Sequence, residues 1–181
     1  MEIYNERVYD LLSDANDALD VREDMTRGVH VEHLSSYTVT NAAEAMDLFT
    51  RGTERRKVAS TTMNRHSSRS HALFVLHVKT EYIQDGKSIT RNAAFTLVDL
   101  AGSERQKATE AAGERLKEAS RINNSLLCLG KVIYALVDSQ KRGVKVHAPF
   151  RDSKLTFLLK NSFGGNSSEF CICIHLLTTI D

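Results

Sequence analysis

Three cysteines, a single proline and no tryptophan are all that this 181-residue chain contains of those residue types. Cys128, Cys171 and Cys173 are odd in number and lack metal-ligand spacing. That argues against a disulfide framework or a zinc site and points to a reducing, cytoplasmic setting. Cys171 and Cys173 read as small apolar core residues. No apolar run approaches the roughly 18 residues of a membrane span. The start, Met1-Glu2-Ile3-Tyr4-Asn5-Glu6, is acidic, without the basic start and apolar core of a signal peptide. Internal repeats, low-complexity tracts and linkers are missing too. So is the phosphate-cradling pattern G-x-x-x-x-G-K-[ST]: its nearest candidate, Gly86-Lys87-Ser88, would need its first glycine at Glu81 and sits in a hairpin signal.

What is present fits one domain with a real core: 41% of residues are hydrophobic and 26% charged. The net charge of +1 is unevenly spread, with 7 Lys/Arg against 12 Asp/Glu in 1–60 and 17 against 11 in 61–181. Within 139–160 stand six bases (Lys141, Arg142, Lys145, Arg151, Lys154, Lys160) and one acid, Asp152. Such a run is either a solvated loop or a docking surface for an acidic partner. It has no interleaved aromatics and no reading motif, so nucleic acid has little support as that partner.

Alternation predicts a strand near 1–5 and a helical turn near 6–12. Val21, Val29, Val31 and Val39 suggest short strands interrupted by Gly28. Asn41 and Glu44 have the spacing of a capping box for a helix over 42–57, with Met46, Phe49 and Val58 inward and Arg51, Arg55 and Arg56 outward. Strict alternation predicts a strand over 71–82. Gln84-Asp85-Gly86-Lys87 is a hairpin signal, and a return strand runs over 88–99. Its last residues, Phe95, Leu97 and Val98, are apolar enough to lie inside a sheet. A long helix begins near Arg115, with Ile122, Leu126, Leu129, Ile133 and Leu136 on one face. A basic loop over 138–149 follows. Asp152 or Ser153 then caps a short helix to about 161. Residues 169–177 read as a central, almost wholly apolar strand.

Two stretches carry chemistry. Leu97-Val98-Asp99-Leu100-Ala101-Gly102-Ser103-Glu104 reads as a buried parallel strand handing over to a phosphate-sensing loop. Asp99 at the strand's carboxyl end suits a magnesium ion held through water, and Gly102 lets a backbone N–H approach a phosphate. Asn64-Arg65-His66-Ser67-Ser68-Arg69-Ser70-His71 clusters hydroxyls that bind phosphate or complete a Mg²⁺ shell. Arg69 and Glu104 can pair across the two loops and hold water for in-line attack. Further on, Arg151 and Lys154 share one face at a helix start.

Together these stretches resemble the two nucleotide switches of the kinesin motor domain. The likeness extends over about 1–175. It includes Glu2-Ile3-Tyr4-Asn5-Glu6 with Tyr9-Asp10-Leu11-Leu12, the relay-helix stretch 113–130, Pro149-Phe150-Arg151-Asp152-Ser153-Lys154-Leu155-Thr156, and Gly164-Gly165-Asn166. The resemblance implies an α/β fold: an incomplete P-loop NTPase-like motor whose mixed central sheet is flanked by helices and whose first three strands are missing. Residues 1–181 would form one partial motor domain, truncated at both ends. It implies ATP and Mg²⁺ as ligands, microtubules (tubulin) and the N-terminal half of the motor as partners, and a cytoplasmic, cytoskeletal location. It makes Arg69, Glu104 and Ser67 catalytic, with Glu104 also relaying a proton from the attacking water. Asn64, Ser67, Ser68, Asp99 and Gly102 would bind nucleotide, Ser68 and Asp99 would serve the metal, and Asn123 would be the relay residue. Lys141, Arg142, Lys145, Arg151 and Lys154 would meet tubulin.

The chain departs from that pattern in places. With no phosphate-cradling loop, these residues alone are expected to bind ATP poorly or not at all. Phe157 replaces a basic residue of many relatives, and 175–181 lacks their serine-proline turn. A microtubule-binding module without turnover is the alternative reading. A GTPase-like switch protein is a more distant one.

Overall fold

The computed structural model describes residues 1–62, 69–102, 114–144 and 146–163; the side chains of 60–62 and 114–123 lie outside that description. Four strands form the main sheet in the order β2-β1-β5-β6: β1 (Glu2–Tyr4), β2 (Arg7–Tyr9), β5 (His71–Gln84) and β6 (Lys87–Asp99). Strands β3 (Val21–Asp24) and β4 (Gly28–Val31) make a separate hairpin. Three helices accompany them: α1 (Ala42–Thr62), α2 (Glu114–Arg142) and α3 (Lys154–Leu158).

The helical turn expected over 6–12 is instead a strand. Asn5 and Glu6 take φ of 54° and 59°. Two successive left-handed residues make the reversal that matches strand twist. The chain therefore folds back with Ile3 opposite Val8, burying both. Val39 lies outside any strand.

The expected hairpin at 84–87 forms, with Asp85 and Gly86 at φ of 51° and 71°. Thirteen residue pairs run from Gln84↔Lys87 to Ala72↔Asp99. A two-residue turn forces antiparallel pairing, so the strand ending at Asp99 is not parallel to its neighbour. Every pairing among the described residues is antiparallel. Among the described residues β6 ends the sheet order, and Phe95 and Leu97 are exposed.

Helix α1 starts as predicted. Asn41 Oδ1 accepts the Glu44 N–H at 3.0 Å, and the Glu44 carboxylate accepts from the Thr40 N–H at 2.7 Å and from Asn41 Nδ2 at 2.9 Å. Its orientation differs from the expected one. Met46, Phe49 and Val58 are exposed, although Phe49 keeps an edge contact with Phe74 at 5.3 Å. The inward face is set by Gly52, buried where the helix passes Leu11 and Leu12, and by Arg56, four residues on. Arg56 turns toward two carboxylates, as described below. Arg55 is also held, by the Ser13 carbonyl and the Asp14 carboxylate.

Helix α2 runs a full turn past the expected boundary at 138. Arg142 pairs with Asp138 at 2.6 Å, Lys141 and Arg142 favour the negative end of the helix dipole, and Gly143 follows with φ of 64°. Its most buried stripe is Ser125, Cys128 and Val132. Leu126, Leu129 and Leu136 are partly buried beside it, whereas Ile133 is exposed. The buried line is thus rotated from the one the apolar spacing suggested, because small residues allow closer approach to the sheet.

Ser153 caps α3 through its Oγ, which accepts the Thr156 N–H at 3.2 Å. A 3-10 turn, Leu159–Asn161, completes the expected short helix. Leu155, with no exposed surface, joins Ile3, Val8 and Leu73 in the core. Burying one such side chain stabilises the fold by roughly 1.5–3 kcal/mol. The expected strand over 169–177 and the glycine pair at 164–165 lie outside the described residues.

Candidate functional site

The hairpin register places Asp99 opposite Ala72, so the end of the Asp99 strand and the start of the strand following Ser70 share one end of the sheet. Arg56 of α1 joins them. Its Nη1 lies 2.6 Å from Asp99 Oδ2, and its Nη2 donates to the Ser70 carbonyl at 2.9 Å. Its Nε stands 3.7 Å from Glu2 Oε1. Only 12% of the Arg56 side chain is exposed and none of Glu2, whereas Asp99 is 71% exposed. A guanidinium suits this place because its planar fork serves several acceptors at once.

His71 makes a second junction. The Ala101 N–H donates to its Nδ1 at 3.0 Å, and its Nε2 lies 2.7 Å from Ser125 Oγ on α2. All three residues are buried. Since Nδ1 accepts an amide, the ring proton sits on Nε2 and is donated to Ser125. Burial, and secondarily the Arg56 charge, push the imidazole pKa down to about 4, so the ring is neutral near pH 7.

Arg69 is half-buried directly before Ser70, at the same sheet end as Asp99, and Gly102 is half-buried just past Ala101. Asn64, Ser67, Ser68 and Glu104 lie outside the described residues, and with them the Arg69–Glu104 pair. Asn123 stands on α2 two residues before Ser125, its side chain outside the description. Among the described residues no group of three or more His, Cys, Asp or Glu could hold a metal by itself. One exposed carboxylate, Asp99, fits Mg²⁺ that keeps several waters and takes its other ligands from a nucleotide.

The basic residues gather elsewhere. Arg151 Nη2 lies 2.9 Å from Glu23 Oε2, and its guanidinium stacks over Phe157 at 5.3 Å. Lys160 also reaches Glu23. The Lys154 N–H donates to Glu6 at 2.7 Å. Glu6, Val21, Glu23, Arg151, Lys154 and Phe157 line an open groove of about 420 Å³. Asn161 fastens β4 to this block, donating to the Val29 carbonyl at 3.1 Å. Lys141 and Arg142 are exposed at the end of α2; Lys145 lies outside the described residues.

Sequence reasoning missed Glu2, Arg56, His71, Ser125 and Glu23. A usable signal existed for two of them. Arg56 falls one turn after Gly52, the one glycine of α1, and Ser125 is in helical phase with Cys128 and Val132.

The family model of the kinesin motor domain matches residues 1–178. Kinesin-like protein KIN-12E of Arabidopsis thaliana is 50% identical over 172 residues, covering 95% of this chain and 14% of that protein. Kinesin-like protein KIF15 of Strongylocentrotus purpuratus is 51% identical over 172 residues, with 95% and 12% covered. Among solved structures, a fast kinesin superposes with TM-score 0.75 at 45% identity, covering 88% of this chain and 44% of that one. A KIF14 dimer with AMP-PNP, in complex with a microtubule, superposes with TM-score 0.76 at 41% identity, covering 92% and 48%. The chain therefore spans a small part of these relatives and under half of either solved chain.

Proposed function

This chain belongs to the kinesin motor domain family, and on that premise we propose that it is the switch and track-binding half of an ATP-driven microtubule motor. The observation that carries the reading is the junction at one sheet end. Arg56 ties Asp99 to Ser70, and His71 ties Ala101 to Ser125 of α2. The segment ending at Ser70, the loop after Asp99 and the helix leading to Lys141 and Arg142 thus meet at one sheet end, which supports reading that end as the seat of a nucleotide's outer phosphate.

ATP with Mg²⁺ supplies the transferable phosphoryl group and the charge that draws the two segments together. Asp99 would hold the metal through water, with Ser68 completing its shell. Arg56 holds the Asp99 carboxylate in place through the 2.6 Å pair. Gly102 and Ser67 would contact the γ-phosphate, with Asn64 nearby. Arg69 and Glu104 would close over the attacking water, and Glu104 would take its proton. Asn123 would report the closure to α2. Lys141, Arg142, Lys145, Arg151 and Lys154 would meet the acidic surface of tubulin, placing the protein on the cytoplasmic cytoskeleton.

The β- and γ-phosphates need a cradle that no segment of these 181 residues offers. These residues alone hold ATP poorly. Co-sedimentation of the full-length protein with microtubules tests the reading: binding is tighter with a non-hydrolysable ATP analogue than with ADP. Binding indifferent to nucleotide would favour a docking module without turnover.

A further inference from the structure

We infer that His71 is a positioning residue that gears the loop after Asp99 to helix α2, through one neutral imidazole bonded to both. The inference rests on the motor reading above and adds to it a physical link between the phosphate-facing loop and the helix.

The link is built from three buried groups. His71 is 3% exposed, Ser125 2% and Ala101 5%. The Ala101 N–H donates to Nδ1 at 3.0 Å, and Nε2–H donates to Ser125 Oγ at 2.7 Å. Ala101 lies between Asp99, the expected metal residue, and Gly102, the expected phosphate contact. A shift of this loop that brings Gly102 toward a phosphate carries the Ala101 amide with it. The imidazole is rigid and follows, or one of its two bonds breaks. Water cannot replace a broken bond in so enclosed a place, so either partner left unpaired is costly. Ser125 therefore moves with the loop, and α2 carries the motion toward Lys141 and Arg142. His71 also begins β5, directly after Ser70, which Arg56 grips. The same ring thus stands where the serine-rich segment ends.

The geometry requires both ring nitrogens at once, which separates this role from simple packing. His71→Asn retains an acceptor for Ala101 and loses the donor to Ser125. His71→Gln does the reverse. Ser125→Ala removes the far partner with almost no change in volume, so it keeps the question open to measurement even where a His71 variant fails to fold.

The experiment measures microtubule-stimulated ATP turnover and ATP KM in the full-length protein for Ser125→Ala, His71→Asn and the double variant. The expected result is a loss in stimulated kcat of roughly 5-fold for each single variant. The double variant should be no worse, since all three break the same link, and KM should hold within about 2-fold. Losses that multiply in the double variant, or no loss in Ser125→Ala, overturn the inference. A second arm needs no turnover: amide exchange at Ala101, which does not touch Ser125, should speed up in Ser125→Ala. Unchanged exchange there overturns the link. Should the wild type show no turnover, the motor reading fails while the exchange arm still decides the role of His71.

Discussion

The guanidinium of Arg56 stands between a carboxylate with no exposed surface, Glu2, at 3.7 Å, and one that is 71% exposed, Asp99, at 2.6 Å. One cation on α1 thereby sets both the packing of β1 and the aim of the strand end that faces solvent. Removing it takes a counter-charge from a buried acid, a loss that commonly costs about 3 kcal/mol. Arg56→Gln should therefore lower stability by about that amount in guanidinium denaturation. Arg56→Lys should recover only part of it, because an ammonium cannot serve Glu2, Ser70 and Asp99 together. Equal stability of the Lys variant and the wild type would contradict this account.

His71 predicts a pH dependence with a defined sign. Its pKa is lowered from 6.5 to about 4 by burial first and by Arg56 second, with Asp99 opposing. Between those values the unfolded chain binds a proton that the folded chain does not. The contribution is fully present above pH 6.5 and is lost as pH falls toward 4. Its size is on the order of 3 kcal/mol. Urea midpoints taken from pH 7.5 to pH 4.5 should fall, and the fall should flatten in His71→Asn. A wild-type midpoint that holds constant over this range would be the contrary result.

Gly28 begins β4 at φ of +66°, and an added Cβ would lie 2.9 Å from the Asn161 amide oxygen. Gly28→Ala combines a left-handed backbone with a close approach and should cost about 1–2 kcal/mol. The loss should show as a lower urea midpoint. An unchanged midpoint would mean that Asn161 moves aside freely.

The β5–β6 hairpin, the Asn41–Glu44 box and the Ser153 cap depend on local chemistry and were readable residue by residue. Features decided by distant partners were not. The phase of α1 depends on Glu2 and Asp99, far away in sequence, so Arg56 looked like a solvated base. The turn at Asn5-Glu6 has no glycine to announce it. The direction of the Asp99 strand followed from the hairpin signal, yet its apolar end suggested a parallel neighbour. Asp99 and Gly102 stand out in the sequence by their spacing, whereas the contacts of His71 became visible only once Ala101 and Ser125 were placed beside it.

Glu23 engages Arg151 and Lys160 together, and hydrogen bonds from Lys160 and then Arg151 hold its carboxyl below the usual range. It therefore competes with an acidic partner for the same cations. Glu23→Gln should tighten microtubule binding in co-sedimentation, more at low ionic strength than at high. Weaker binding would show instead that Glu23 serves to hold Arg151 in place.

The central claim is that Asp99 and the serine-rich segment form a nucleotide switch read out on a microtubule. Steady-state ATP turnover by the full-length protein, measured as microtubule concentration rises, tests it most directly. The account predicts a rate that climbs to saturation and collapses in Asp99→Ala. A rate that ignores microtubules, or that survives the loss of Asp99, would contradict it.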